Sequence, residues 1–237
     1  MTIDGASTAA RTSYDAWHSA QADEEDEPTA TTPWHEMAKL RLGDVRGKRV
    51  LEIGCGRGAF ARWLQEQGAD VTAADFSPAA VELAARLLGP ETPALVADVQ
   101  QLPFPDEHFD VVVSLETLEH VPDPAAGLAE LVRVTRHGGR LVVTTPNYLN
   151  LLGLYRIALR LAGRRFTEGG QPINQPLILA GRVLRLRRLG CRVDAVDGCV
   201  HTIPVPGFRT IDLEGRGRPA WATRWVARHG LTAATRL

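Results

Sequence analysis

No apolar run in this 237-residue chain is long enough to span a bilayer, and its start lacks the basic-then-apolar pattern of a secretory leader. Both absences point to a cytoplasmic protein. The three cysteines, Cys55, Cys191 and Cys199, have spacings that suit neither a zinc site nor a disulfide framework. A formal net charge of −1 argues against bulk electrostatic binding to nucleic acid, so no nucleic-acid partner is expected. No internal repeat is visible. What remains is one ordinary globular domain, with an apolar share of 44% that suffices for a full core.

The charge that is present is uneven. The acidic run Asp23-Glu24-Glu25-Asp26-Glu27 lies near the N-terminus, and arginines crowd the second half. Residues 1–33 are polar and form a mobile N-terminal segment. Tyr14, Trp17 and Trp34 are its aromatic exceptions, either a lid over a ligand mouth or satellite packing on the core. Residues 34–237 form the single domain.

From Lys48 onward strands and helices alternate, which implies a doubly wound α/β sheet, parallel and covered on both faces. Its most informative stretch is Val50-Leu51-Glu52-Ile53-Gly54-Cys55-Gly56-Arg57-Gly58, an apolar strand running into a glycine loop that opens a helix. The loop fits a dinucleotide fingerprint as well. Glu52 tips the balance, because a carboxylate there repels a pyrophosphate and can hold an ammonium group. The second strand ends at Asp75, about 20 residues further on, where a ribose-binding carboxylate belongs. The third ends at Asp98, placed to accept from an exocyclic amine, with Phe76 or Val99 to sandwich a base. Strands are expected at 69–74, 94–97, 109–114, 140–145 and 192–196. Ser77 caps a helix whose apolar stripe reads Val81, Ala84, Ala85 and Leu88. The carboxyl ends of the first four strands thus carry Gly54 (with Cys55 and Gly56 in its loop), Asp75, Asp98 and Ser114.

The blocks LEIGCGRG, AADFS, VADVQQLPFPDEHFDVVVS and GGRLVVTTPN, in this order across residues 48–147, resemble the class I S-adenosylmethionine-dependent methyltransferases. The resemblance implies a mostly parallel, seven-stranded Rossmann-like sheet with a reversed C-terminal edge strand, here Leu231 to Thr235. It implies S-adenosylmethionine as cofactor, held by Glu52, Gly54, Cys55, Gly56, Asp75, Phe76, Asp98, Val99 and Ser114. A narrower resemblance lies in Ser114-Leu115-Glu116-Thr117-Leu118-Glu119-His120-Val121-Pro122, which looks like the corresponding loop of ubiquinone-biosynthesis O-methyltransferases.

The E-x-x-E-H core of that loop also resembles the metal site of small-RNA 3′-terminal 2′-O-methyltransferases. Glu116, Glu119 and His120 would then offer a divalent ion two carboxylates and an imidazole. Those enzymes add a further His after the fifth strand, and residues 169–175 here contain none. In the metal-free alternative His120 is the general base for a hydroxyl acceptor, and the two roles exclude each other at a coordinated nitrogen. His201 is the second base candidate; His18 and His35 fall in the lid region, outside the candidate set.

Residues 147–178 read as a helical insertion that caps the substrate. Its leucines with Tyr148, Tyr155 and Phe166 suit a partly apolar small-molecule acceptor, and its arginines could pair with an anionic group on it. The basic amphipathic stretch 148–165 is either a capping helix or a surface for membrane contact. Three functions compete: methylation of a small molecule, on oxygen first and on nitrogen or carbon as alternatives; a non-catalytic cofactor-binding scaffold; and a nicotinamide-dependent oxidoreductase, disfavoured by Glu52 and by the lack of a second catalytic domain.

Overall fold

The computed structural model describes residues 28–147, 177–199 and 229–237, with isolated positions between 12 and 19, between 158 and 175, and at 202–203 and 211–212. Helix α1 (Pro33–Leu42) precedes strand β1 (Arg49–Ile53). Helix α2 (Ala59–Glu66), β2 (Asp70–Asp75), α3 (Pro78–Leu88) and β3 (Ala94–Val96) follow. Then come β4 (Phe109–Leu115), a 3₁₀ turn (Leu118–His120), α4 (Pro124–Val134) and β5 (Thr135–Pro146). Helix α5 (Leu179–Arg188) leads into β6 (Cys191–Cys199). A two-residue ribbon pairs β7 (Thr202–Ile203) with β8 (Ile211–Asp212), and β9 (His229–Arg236) closes the chain.

The seven-stranded sheet has the order β3-β2-β1-β4-β5-β9-β6. Strands β1 to β5 are parallel, and β9 runs antiparallel to both β5 and β6. The expected reversed strand is therefore present. It sits one place in from the edge, which is β6, because β9 finds ladder partners on both of its sides. The chain progresses from β1 outward to β3 and then returns to β4 on the other side of β1. That reversal opens a crevice at the carboxyl ends of β1 and β4.

Alternation along the buried strands builds two apolar layers. Val50, Val71, Ala73, Val111 and Val113 meet α1, α2 and α3 through Leu42, Phe60, Leu64, Ala84 and Leu88. Leu51, Ile53, Val112, Leu141 and Val143 meet α4 and α5 through Leu128, Leu131 and Leu186. The α3 stripe runs Ala80–Ala84–Leu88 at four-residue steps, and Ala85 is exposed, one position off the expected face. Ser77 does cap that helix, accepting from the Ala80 N–H at 3.2 Å. Strand β5 begins earlier than expected: Thr135 pairs with Phe109, and the glycine turn at 138–139 is a bulge before Arg140 resumes opposite Val111.

Arg182 of α5 is buried beneath the sheet. Its guanidinium donates to the hydroxyls of Thr145 and Thr232 and to the Gly230 carbonyl, stitching β5 to β9. Burial pulls its pKa down to about 10, against the opposing pull of Glu116 and Glu119. Replacing Arg182 with Met should cost about 3–5 kcal/mol in urea unfolding, since three buried acceptors lose a charged donor and Glu119 loses its nearby cation.

Candidate cofactor and methyl-transfer site

The glycine loop is shaped by its neighbours. The N–H groups of Gly54 and Cys55 donate to the Ala74 carbonyl at 2.8 and 3.0 Å, so the loop leaves β1 bound to β2. Gly54 has φ +80°, and a Cβ there would lie 2.1 Å from Thr117 Oγ1. The Thr117 hydroxyl in turn lies 3.1 Å from the Leu115 carbonyl and 3.3 Å from that of Ile53, bridging the ends of β4 and β1. Gly58 has φ +85°, and a Cβ on it would meet Ala84 of α3 at 3.1 Å, so glycine permits the close approach of α2 and α3.

A cavity of about 460 Å³ opens over these strand ends. Among the expected cofactor residues, Glu52, Gly54, Cys55, Gly56, Asp75, Phe76, Asp98 and Val99 all line it. Ser114 does not. It is fully buried inside β4, one residue short of the strand's mouth, and Leu115, Glu116 and Thr117 take its expected place.

Four carboxylates line the cavity, Glu52, Asp75 and Asp98 at or just past the ends of β1, β2 and β3, and Glu116 after β4. Glu52 is buried, and its Oε2 has no hydrogen-bond partner. Burial, and then the Asp75 charge, push its pKa well above the carboxylate range, against a lowering bond from the Ala61 N–H. Asp75 accepts from the Gly56 N–H at 2.9 Å through Oδ2 and from the Ser77 N–H at 2.9 Å through Oδ1, so it fixes the loop while facing the cavity. Asp98 is held by Gln100. The Cys55 thiol is pushed up by burial and by the charges of Asp75 and Glu52, which keeps it protonated and a poor nucleophile.

Residues from the chain's flanks and turns also line the cavity. Trp34 and His35 come from the first turn of α1; His35 is outside the expected set, and the structure places it in the cavity wall. Its ring stacks on Phe60 at 5.2 Å, and its Nδ1 is buried without a partner. Burial, then Lys39, push its pKa down to about 4, so the imidazole is neutral near pH 7. Tyr14 also lines the cavity, its ring 5.9 Å from that of His120, and Asp15 receives a hydrogen bond from Ser77 Oγ. His120 lines the cavity from the 3₁₀ turn, its Nε2 3.5 Å from Glu119 Oε1. No sequence signal singled out His35, because α1 carries no apolar stripe and precedes the first strand.

Among the described residues, no group of three or more His, Cys, Asp or Glu side chains is arranged to hold an ion. The 3₁₀ turn spans only Leu118–His120; Glu116 precedes it at φ +50°, and Glu119 is buried with its Oε1 3.5 Å from His120 Nε2. His201 and nearly all of the 147–178 insertion, including Tyr148, Tyr155, Phe166 and the 148–165 stretch, lie outside the described residues, as do Trp17 and His18. At the insertion's far end, Gln175 N–H donates to the Glu119 carbonyl at 2.7 Å, bringing that end beside the His120 turn. Among the described residues, no helix is long and apolar enough to cross a membrane.

An open, doubly wound sheet with a glycine loop and carboxylates at successive strand ends defines a nucleoside-binding α/β domain. Residues 51–143 match the family profile described as a methyltransferase domain. A ubiquinone biosynthesis O-methyltransferase from Alkalilimnicola ehrlichii is 39% identical over 127 residues, 48% of this chain and 51% of that protein. A demethylmenaquinone methyltransferase from Beutenbergia cavernae is 37% identical over 130 residues, 54% of each chain. The chain thus spans about half the length of the curated relatives it matches. A Haloferax volcanii methyltransferase, solved with a methyltransferase activator protein, shares the fold with a TM-score of 0.68 at 24% identity, covering 96% of this chain and 97% of that one. An S-adenosylmethionine-dependent methyltransferase from Mesorhizobium loti gives 0.63 at 23% identity, covering 87% and 99%.

The residues present fit S-adenosylmethionine. An orphaned buried carboxylate oxygen at Glu52 matches its ammonium, Asp75 its ribose diol and Asp98 its exocyclic amine. Gly54→Ala should destabilise the fold by at least about 2 kcal/mol and abolish binding of the cofactor, because both the left-handed backbone and the Thr117 contact reject a methyl group. Thermal unfolding and calorimetry read the two effects separately.

Proposed function

We propose that this protein is an S-adenosylmethionine-dependent methyltransferase that methylates a hydroxyl on a small, partly apolar acceptor. The observation that carries the reading is the unpartnered, buried Oε2 of Glu52, set in one cavity with Asp75 and Asp98. That set accommodates a zwitterionic nucleoside and penalises a pyrophosphate, which separates it from a nicotinamide site. When bound, the cofactor supplies a methyl carbon already activated by its sulfonium. The chain's own task is to hold the two partners in line and to exclude water.

Glu52 accepts the ammonium, and neutral His35 offers a donor toward the carboxylate of the same amino-acid end. Asp75 takes the ribose hydroxyls while retaining its bonds to the loop. His120 receives the acceptor's proton, with Glu119 3.5 Å away to stabilise the resulting imidazolium. Tyr14, its ring 5.9 Å from that of His120, and Asp15, bound by Ser77, stand at the cavity mouth. Support for a quinone-type acceptor comes from the relatives named for ubiquinone and demethylmenaquinone methylation. Methyl transfer to carbon or nitrogen is the alternative in the same fold, and product analysis by mass spectrometry and NMR distinguishes them.

Glu52 gives a pH signature. In the ligand-free protein its raised pKa means that the folded state holds a proton the unfolded state has released. Stability from this group is therefore present at low pH and declines as pH rises above the ordinary carboxylate range. A bound ammonium favours the ionised form, so binding releases a proton. Calorimetric affinity for S-adenosylmethionine should rise with pH above the ordinary carboxylate range, and Glu52→Gln should flatten that rise. A flat profile in the native protein would remove Glu52 from the ammonium site.

His120→Ala should lower turnover by about 10² to 10⁴-fold with cofactor affinity nearly unchanged. Exhaustive chelation should leave turnover intact. Loss of activity with recovery on adding Mg²⁺ would instead assign the turn to a metal and retire His120 as base.

A further inference from the structure

The carboxylate that faces the base end of the cavity is held by a single neighbouring residue. The Gln100 backbone N–H donates to Asp98 Oδ1 at 2.8 Å, and its side-chain Nε2 lies 3.1 Å from Oδ1 and 3.2 Å from Oδ2. The other end of the same amide is fixed too: Oε1 accepts from the Asp123 N–H at 2.8 Å. With a backbone donor at one end and a carboxylate at the other, the amide has one favourable orientation, nitrogen toward Asp98. Asp123 is the N-cap of α4, its own side chain accepting from the N–H groups of Ala125 and Ala126, so the anchor is part of a capped helix. Both Asp98 and Gln100 line the cavity.

Gln100 loads the two oxygens unequally. Oδ1 carries the short backbone bond and the nearer side-chain contact, whereas Oδ2 shares only the longer one. Oδ2 therefore keeps more accepting capacity. We infer that Gln100 is a positioning residue for base recognition: it pins the Asp98 carboxylate so that Oδ2 reads an exocyclic amine, and the site takes a 6-aminopurine and refuses a 6-oxopurine. The inference rests on the cofactor assignment above.

The chemistry of refusal is direct. A 6-oxo group would set a carbonyl oxygen against a fixed carboxylate, two acceptors with no proton between them. The neighbouring ring N1–H of a 6-oxopurine is a donor, but it sits at a different place on the base edge. A carboxylate free to rotate can follow it; one held by Gln100 cannot.

The test compares S-adenosylhomocysteine with S-inosylhomocysteine by calorimetry on the full chain. The native protein should prefer the adenine compound by about 10-fold or more. In Gln100→Leu, which keeps the bulk and removes the amide, that ratio should shrink about 5-fold or more, chiefly through tighter binding of the inosine compound. Gln100→Glu keeps the length, replaces the donor by an acceptor beside Asp98, and should move the ratio the same way. If both variants weaken the two ligands in proportion and leave the ratio unchanged, Gln100 is only structural and the inference falls. No preference in the native protein overturns it equally. Failure of the native protein to bind S-adenosylhomocysteine at all overturns the cofactor assignment, and this inference with it.

Discussion

A buried carboxylate with one oxygen unpartnered is the constraint on which the site depends. Glu52 occupies the last but one position of β1, the strand with β2 on one side and β4 on the other, so the sheet fixes it from both directions. Burying a charge costs free energy unless something compensates it, and here the protein supplies only the Ala61 N–H while Asp75 adds repulsion. The group is therefore proton-hungry in the empty fold and satisfied only by a cation brought from outside. A fold keeps such a group when the compensation arrives with a ligand. The cost is offset by fully satisfied networks elsewhere, such as Arg133, whose guanidinium meets Glu130, Asp106 and the carbonyls of Leu102 and Phe104.

Around that point the same atoms hold the fold and face the ligand. Asp75 accepts from Gly56 and Ser77, which ties the glycine loop to the start of α3 and leaves the carboxylate no freedom to drift. Thr117 fills the space that Gly54 leaves open and bridges the ends of β1 and β4. Glu116 is held at φ +50°, a strained conformation for a non-glycine residue, by bonds from its N–H to the Thr144 carbonyl and hydroxyl. The pocket is thus organised before anything enters it, which is what in-line transfer requires.

The strand-end acids were legible because the signals are local. An apolar run fixes where a strand ends, and Glu52, Asp75 and Asp98 follow from that alone. Errors arose where a one-residue phase decides the outcome. Ser114 lies a residue inside β4, and the α3 stripe passes through Ala80 instead of Ala85. Periodicity cannot tell which of Arg182, Arg185, Arg187 and Arg188 turns under the sheet, and Arg182 is the one that does. The spacing of Glu116, Glu119 and His120 is compatible with a turn or short helix that presents all three to one side, and the 3₁₀ turn carries the last two. The insertion of β9 between β5 and β6 is a long-range pairing that no local pattern encodes.

The two ends of the cavity are also built differently along the chain. Its cofactor end comes from successive strand ends within residues 51–143, the same stretch that matches the methyltransferase domain profile. Its other end draws on Tyr14, the first turn of α1 and the turn after β4, with Gln175 docking beside that turn. Such a division follows from the chemistry. A constant cofactor needs the same few groups at the same strand ends, which a compact sequence block can supply. An acceptor varies from protein to protein, and loops and flanking segments can change without disturbing the sheet. The matched stretch includes the strand ends and the turn after β4, whereas Tyr14, the first turn of α1 and Gln175 lie outside it.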